Sequence, residues 1–173
     1  MTDVTGFSAR GDVRPPEVAG GEKETLTAIL GYLREAVIAK AAGLTDEVGR
    51  TPGVPSGTSL LGLIKHLTRV EHNWFVWAYA GDGGEHPLDD EVPPAEGETG
   101  ASLIAAYQEA IRHSDEIIAG CEDLARPGVR SLRRDATTAP TMRWILVHMI
   151  EETGRHAGHA DILREQTDGA TGR

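Results

Sequence analysis

Three polar residues on two amphipathic segments have types and spacing that suit a divalent metal ion. Glu152 and His156 stand four apart in the stretch from His148 to His159, so on a helix their side chains leave neighbouring turns of one face and can converge on a single ion. His66 supplies a third donor if its own segment faces theirs. Two imidazole nitrogens and one carboxylate oxygen form a set that zinc accepts with positions left for water or substrate; nickel, iron and manganese accept it with other geometries. An ion with open positions acidifies a bound water or thiol and so supplies a nucleophile near neutral pH. Each residue alone has an ordinary structural reading, His66 as a core histidine bonded to a backbone carbonyl and Glu152 with His156 as a helix ion pair. What favours an ion is that all three face inward. His148 and His159 lie on the margin of the same face, so His66, His156 and His159 make a competing set, and either marginal histidine could contact substrate instead.

The elements that position these residues read as helices. Leu60, Leu63, Leu67, Val70, Trp74 and Trp77 form an apolar stripe at about 100° per residue. His66 lies on the margin of that stripe, and His72 projects nearly opposite. Met142, Ile145, Met149, Ala160 and Leu163 form a second stripe that contains Glu152 and His156, while Glu151 turns outward. An ionised carboxylate at position 152 is costly without a cation or a hydrogen-bond network.

The same periodicity predicts helices from about Glu22 to Ala42, from Ser59 to Tyr79, from Ala101 to Leu124 and from Pro140 to Glu165. Gly81 to Gly100 is rich in glycine, proline and acid, and is too long for a tight hairpin; it suits a crossover between helices that run in the same direction. Residues 129–138 alternate loosely, as a short extended piece would. The expected architecture is all-α, a four-helix bundle over residues 21–166, with a flexible arm at 1–20 and a disordered tail at 167–173.

Composition narrows the function classes. Acidic residues outnumber basic ones 27 to 17 and the formal charge is −10, which argues against nucleic acid or an anionic membrane as partner. A single cysteine, Cys121, forms no disulfide within the chain, and the first residues lack an apolar secretory stretch, so a cytoplasmic location is expected. Cys121 reads as a small packed side chain rather than a reactive thiol. There is no phosphate-binding glycine loop, HExxH pair or nucleophile elbow.

The two segments, Ser59-Leu-Leu-Gly-Leu-Ile-Lys-His66-Leu-Thr-Arg-Val-Glu-His-Asn-Trp-Phe75 and His148-Met-Ile-Glu-Glu-Thr-Gly-Arg-His156-Ala-Gly-His-Ala-Asp-Ile-Leu-Arg-Glu165, together resemble the DinB-like superfamily, in particular its mini-circle branch. The resemblance covers roughly residues 20–166. It implies an up-down-down-up bundle of the DinB/YfiT kind, with a metal held by one side chain of the second helix and two, spaced by four, on the last. Often all three are His. In the mycothiol-dependent maleylpyruvate isomerases the middle one is Glu, a pattern that falls here on His66, Glu152 and His156. Many members carry His-Arg-Gly-Gln where this chain has His156-Ala157-Gly158-His159.

The resemblance further implies a transferase or isomerase that uses a low-molecular-weight thiol such as mycothiol or bacillithiol on a small electrophile, the thiol being the attacking sulfur. The alternative is a non-catalytic metal-binding or stress-related protein. No additional C-terminal domain of the isomerase kind follows, so maleylpyruvate is not the expected substrate. Related bundles pair, so a homodimer is expected.

Overall fold

In a computed structural model, which describes residues 13–172, the elements are α1 (Glu22–Ala41), a short α2 (Asp46–Arg50), α3 (Leu60–Glu71) continued by a π-helical segment (His72–Ala80), α4 (Gly100–Ala119) and α5 (Met142–Asp168). Residues 1–12 of the expected arm, and Arg173, lie outside the described residues. Side-chain oxygens begin most of the helices: Ser59 accepts from the Gly62 N–H, Thr141 from the Trp144 N–H, and Thr99 with Ser102 closes a capping box at α4. α5 runs three residues past Glu165 and stops at Gly169, whose φ of +76° suits a residue without a Cβ.

Cross-bundle contacts set the helix directions. Arg143 meets Glu22 at one end of the α1/α5 pair and Asp161 meets Lys40 at the other, so these helices run parallel. Lys23 at the start of α1 donates to the Ala119 and Cys121 carbonyls at the end of α4, so those two run opposite. Lys65 of α3 reaches Glu98 just ahead of α4, and Tyr79, near the end of the segment that continues α3, bonds Cys121 just past the end of α4, so α3 and α4 run together. The order is up-down-down-up, and residues 81–99 make the crossover. No helix among the described residues is long and apolar enough to cross a membrane.

One core cluster gathers Leu30, Val70, Phe75, Ile118, Ile145 and Met149; another gathers Val37, Leu61, Ile64, Leu67, Leu103 and Tyr107. In sequence, Arg34 falls between the α1 contributors to the two. Its Nε and Nη2 donate to the two oxygens of Glu71, both at 2.7 Å, and Nη1 donates to Asp115 at 2.8 Å. Arg34 and Glu71 are 2% and 0% exposed, so a bidentate ion pair sits inside the bundle.

Three sequence expectations shift. Beyond Glu71 the helix widens to a π turn, which moves the inward phase from Trp74 to Phe75; Phe75 is fully buried, while Trp74 lies half-buried against Trp144 and His148. α4 ends at Ala119 rather than Leu124, and Cys121 lies in the turn after it, its thiol accepting from the Tyr79 hydroxyl at 3.1 Å. Residues 129–138 form no strand. The Val129 and Arg130 N–H groups both donate to the Ala78 carbonyl, and the described residues contain a single isolated bridge, Pro127 to Thr141.

Candidate metal centre

α3 and α5 cross so that His66, Glu152 and His156 come together, with one potential ligand atom from each lying within 4.8 Å of the others. A single carboxylate oxygen faces both rings: Glu152 Oε1 is 3.2 Å from His66 Nε2 and 3.0 Å from His156 Nε2. The rings meet edge to face with centroids 4.8 Å apart. Glu152 is 9% exposed, whereas Glu151 is exposed and bonds Arg155, as the helical phase requires.

The surrounding groups hold each donor. The Asp90 carbonyl can only accept, so at 3.0 Å it draws the proton to Nδ1 of His66 and leaves Nε2 turned toward Glu152. Arg155 Nη2 lies 3.0 Å from Glu152 Oε2, fixing the oxygen that the histidines do not share. Hydrogen bonds from His156 and then His66 hold the Glu152 carboxyl well below the usual carboxylate range, outweighing burial, which pushes the other way. The bond to Glu152 correspondingly raises the His66 imidazole against the opposing effect of burial. A site that stabilises one carboxylate anion between two imidazole nitrogens suits a cation, which can replace the protons those nitrogens otherwise carry.

His159 and His148 fall outside the triad. His159 Nδ1 is 3.4 Å from His156 Nδ1, on the side of the ring away from Glu152. His148 stacks on Trp144 with centroids 5.1 Å apart and lies 3.8 Å from Glu151. His72 points elsewhere, its ring against Gly83.

His66 and His156 of the triad line a cleft of about 400 Å³ between the loop at Ser56–Ser59 and the segment Asp90–Pro94. That segment is strapped along α3 by residues the sequence did not single out. Asn73, 2% exposed, donates to the Leu88 carbonyl at 2.9 Å and accepts from the Leu88 N–H at 2.8 Å. Arg69 donates to the Asp89 carbonyl and Lys65 to the Pro93 carbonyl. Lys65, Arg69 and Asn73, four apart, are a polar row beside the apolar stripe, which is the sequence signal for something lying across the helix.

Asn73 thereby sets where the Asp90 carbonyl meets His66. Asn73→Ala is expected to weaken metal affinity by about 10-fold, the lower end of what outer-shell partners contribute. Competition with a chromogenic chelator would measure it, and unchanged affinity would remove Asn73 from the account.

The sequence model of the mycothiol-S-transferase family matches residues 25–169, nearly all of the bundle. The chain belongs to the mycothiol-S-transferase family. That membership agrees with the DinB-like resemblance carried by the two helical motifs. Among solved structures, a conserved protein of Enterococcus faecalis matches with a TM-score of 0.63 at 16% identity, over 87% of this chain and 99% of that one, which shows a shared fold. No curated protein matches the chain. In this mycothiol-S-transferase family member, His66 and His156 line the cleft and Glu152 bonds both of them.

Proposed function

We propose that the chain is a metal-dependent transferase that joins the sulfur of a low-molecular-weight thiol, mycothiol or bacillithiol, to a small electrophile, with His66, Glu152 and His156 holding the ion. Zinc heads the candidates, ahead of nickel, iron and manganese, because two nitrogens and one oxygen suit it while leaving a position open. The supporting observation is the one carboxylate oxygen shared by two imidazole Nε2 atoms at the edge of an open cleft. Family membership points to the same chemistry.

A divalent cation in this position supplies a lowered pKa for a bound thiol, and hence a thiolate at neutral pH. The protein's part is placement. The Asp90 carbonyl keeps the His66 lone pair at Nε2, and Arg155 restrains the free Glu152 oxygen. In the transfer, the thiol S–H bond gives its proton to solvent and a sulfur–carbon bond forms; the displaced pair leaves with the halide, goes to the ring oxygen of an epoxide, or, in an enone, shifts from the C=C bond and is protonated at the α carbon. Cys121 is 2% exposed and bonded by Tyr79, so it is not the attacking sulfur.

Zinc-loaded protein incubated with mycothiol and a panel of alkyl halides, epoxides and enones tests the reading by mass spectrometry of the thioether. Conjugation should exceed the uncatalysed rate and vanish on chelation. A stably loaded protein with no turnover across the panel would contradict catalysis and favour a non-catalytic metal-binding role.

A further inference from the structure

Beside the triad lies a second hollow of different chemistry. It encloses about 330 Å³ between Val54, Ser56 and Thr58 on the α2–α3 loop and His159, Ile162 and Leu163 on α5. Ser56, Thr58 and His159 also line the cleft at the triad, so the two hollows are neighbours and His159 stands on the border between these two limbs. The limb at the triad carries Asp90 and Glu91, whereas the other ends on three aliphatic side chains. Ile162 is 56% exposed and Val54 36%, so water meets two large apolar side chains that line the same hollow. Scattered apolar side chains on a surface are ordinary, but these converge on a hollow that adjoins the proposed reaction site.

The wall of this limb is built in advance. The Gly53 N–H donates to the Thr58 carbonyl at 3.1 Å and the Gly57 N–H to the Val54 carbonyl at 3.0 Å. The Ser56 and Thr58 hydroxyls lie 3.2 Å apart. Gly53 sits so close to α5 that a Cβ there would come within 2.3 Å of Leu163 Cδ2. A loop tied to itself and seated on a helix keeps its shape before anything binds, which limits the ordering cost of occupancy. The volume lies within the range of about 300–1,000 Å³ usual for small-molecule sites.

We infer that this limb receives the apolar substituent of the electrophile, so that the favoured substrates carry an aryl or short alkyl group, with Val54 and Ile162 setting its size. The inference rests on the transferase reading of the adjoining cleft. Each methylene buried in the limb is expected to lower KM about fourfold, the factor that corresponds to the transfer of one CH2 out of water, until the limb is full.

Two measurements on the zinc-loaded full chain test this. Methyl-resolved NMR with benzyl alcohol, an unreactive aryl probe, should give saturable shifts on the Val54, Ile162 and Leu163 methyls. Ile162→Trp, which fills the limb from an exposed position, should abolish those shifts. The same variant should cut the ratio of kcat/KM for a benzyl halide over a methyl halide by about 10-fold, whereas Val147→Trp, exposed on α5 but outside both limbs, should preserve the ratio. Ile162→Ala should lower it in the same direction as Ile162→Trp. Turnover without dependence on chain length, or no shift at these methyls, would overturn the inference and leave the transferase reading standing. Saturable benzyl alcohol binding with no turnover of any halide would sink the transferase reading and support the limb.

Discussion

Glu152→Ala is expected to lose metal affinity by more than about 100-fold, because outer-shell partners alone are worth about 10–100-fold and this change removes a direct donor. It also removes the one carboxylate that lies between the two Nε2 atoms. Glu151→Ala is the matched control: the same chemistry one residue earlier, exposed and bonded to Arg155. It should keep its metal. His66→Ala and His156→Ala should behave like Glu152→Ala, and His72→Ala like Glu151→Ala. Elemental analysis of these proteins after identical preparation checks the set. A loss caused by His159→Ala comparable to that of His156→Ala would favour the competing set of His66, His156 and His159.

The largest effect on stability is expected at Arg34. Arg34→Met removes the cation while Glu71, 0% exposed, keeps its carboxylate. Breaking a buried pair this way costs about 3–5 kcal/mol, which for a domain of this size lowers Tm by about 6–20 °C. Because the cost comes from the stranded charge, Arg34→Met with Glu71→Leu should recover most of the loss. Asp115, the third member, is 57% exposed and can return to water. Thermal unfolding of the wild type, the single and the double variant measures this; a double variant no more stable than the single would show that packing around Arg34, rather than the charge left on Glu71, dominates.

The parts of the fold that the sequence made legible are those governed by a regular period. α1, α3 and α5 keep the 3.6-residue rhythm through the stretches that matter, so the inward phase of Glu152 and His156, the outward phase of Glu151 and the parallel crossover between α3 and α4 could all be read from residue types. Reading failed where the backbone left that rhythm. The π segment after Glu71 exchanged Trp74 for Phe75 in the core, and nothing in the side chains of His72–Ala80 announces a wider turn. Lys23 closes α4 by binding the Ala119 and Cys121 carbonyls, a contact between residues nearly a hundred positions apart.

Around the candidate site the same division holds. The triad was visible because side chains carry it. The Asp90 carbonyl that orients His66 is backbone and has no signature in residue type, and the apolar limb depends on how closely Gly53 approaches Leu163. Asn73 and Arg34 were legible in principle, as polar residues next to or within apolar stripes, but their partners lie on other elements, and only the assembled bundle shows what they bind.

The central claim is that one ion is held by His66, Glu152 and His156. Anomalous diffraction from crystals of the zinc-loaded protein tests it most directly. The account predicts a single strong peak about 2.0–2.2 Å from His66 Nε2, Glu152 Oε1 and His156 Nε2. A peak coordinated by His159 or His148 in place of Glu152, or no peak at the triad in protein that carries zinc, would contradict it.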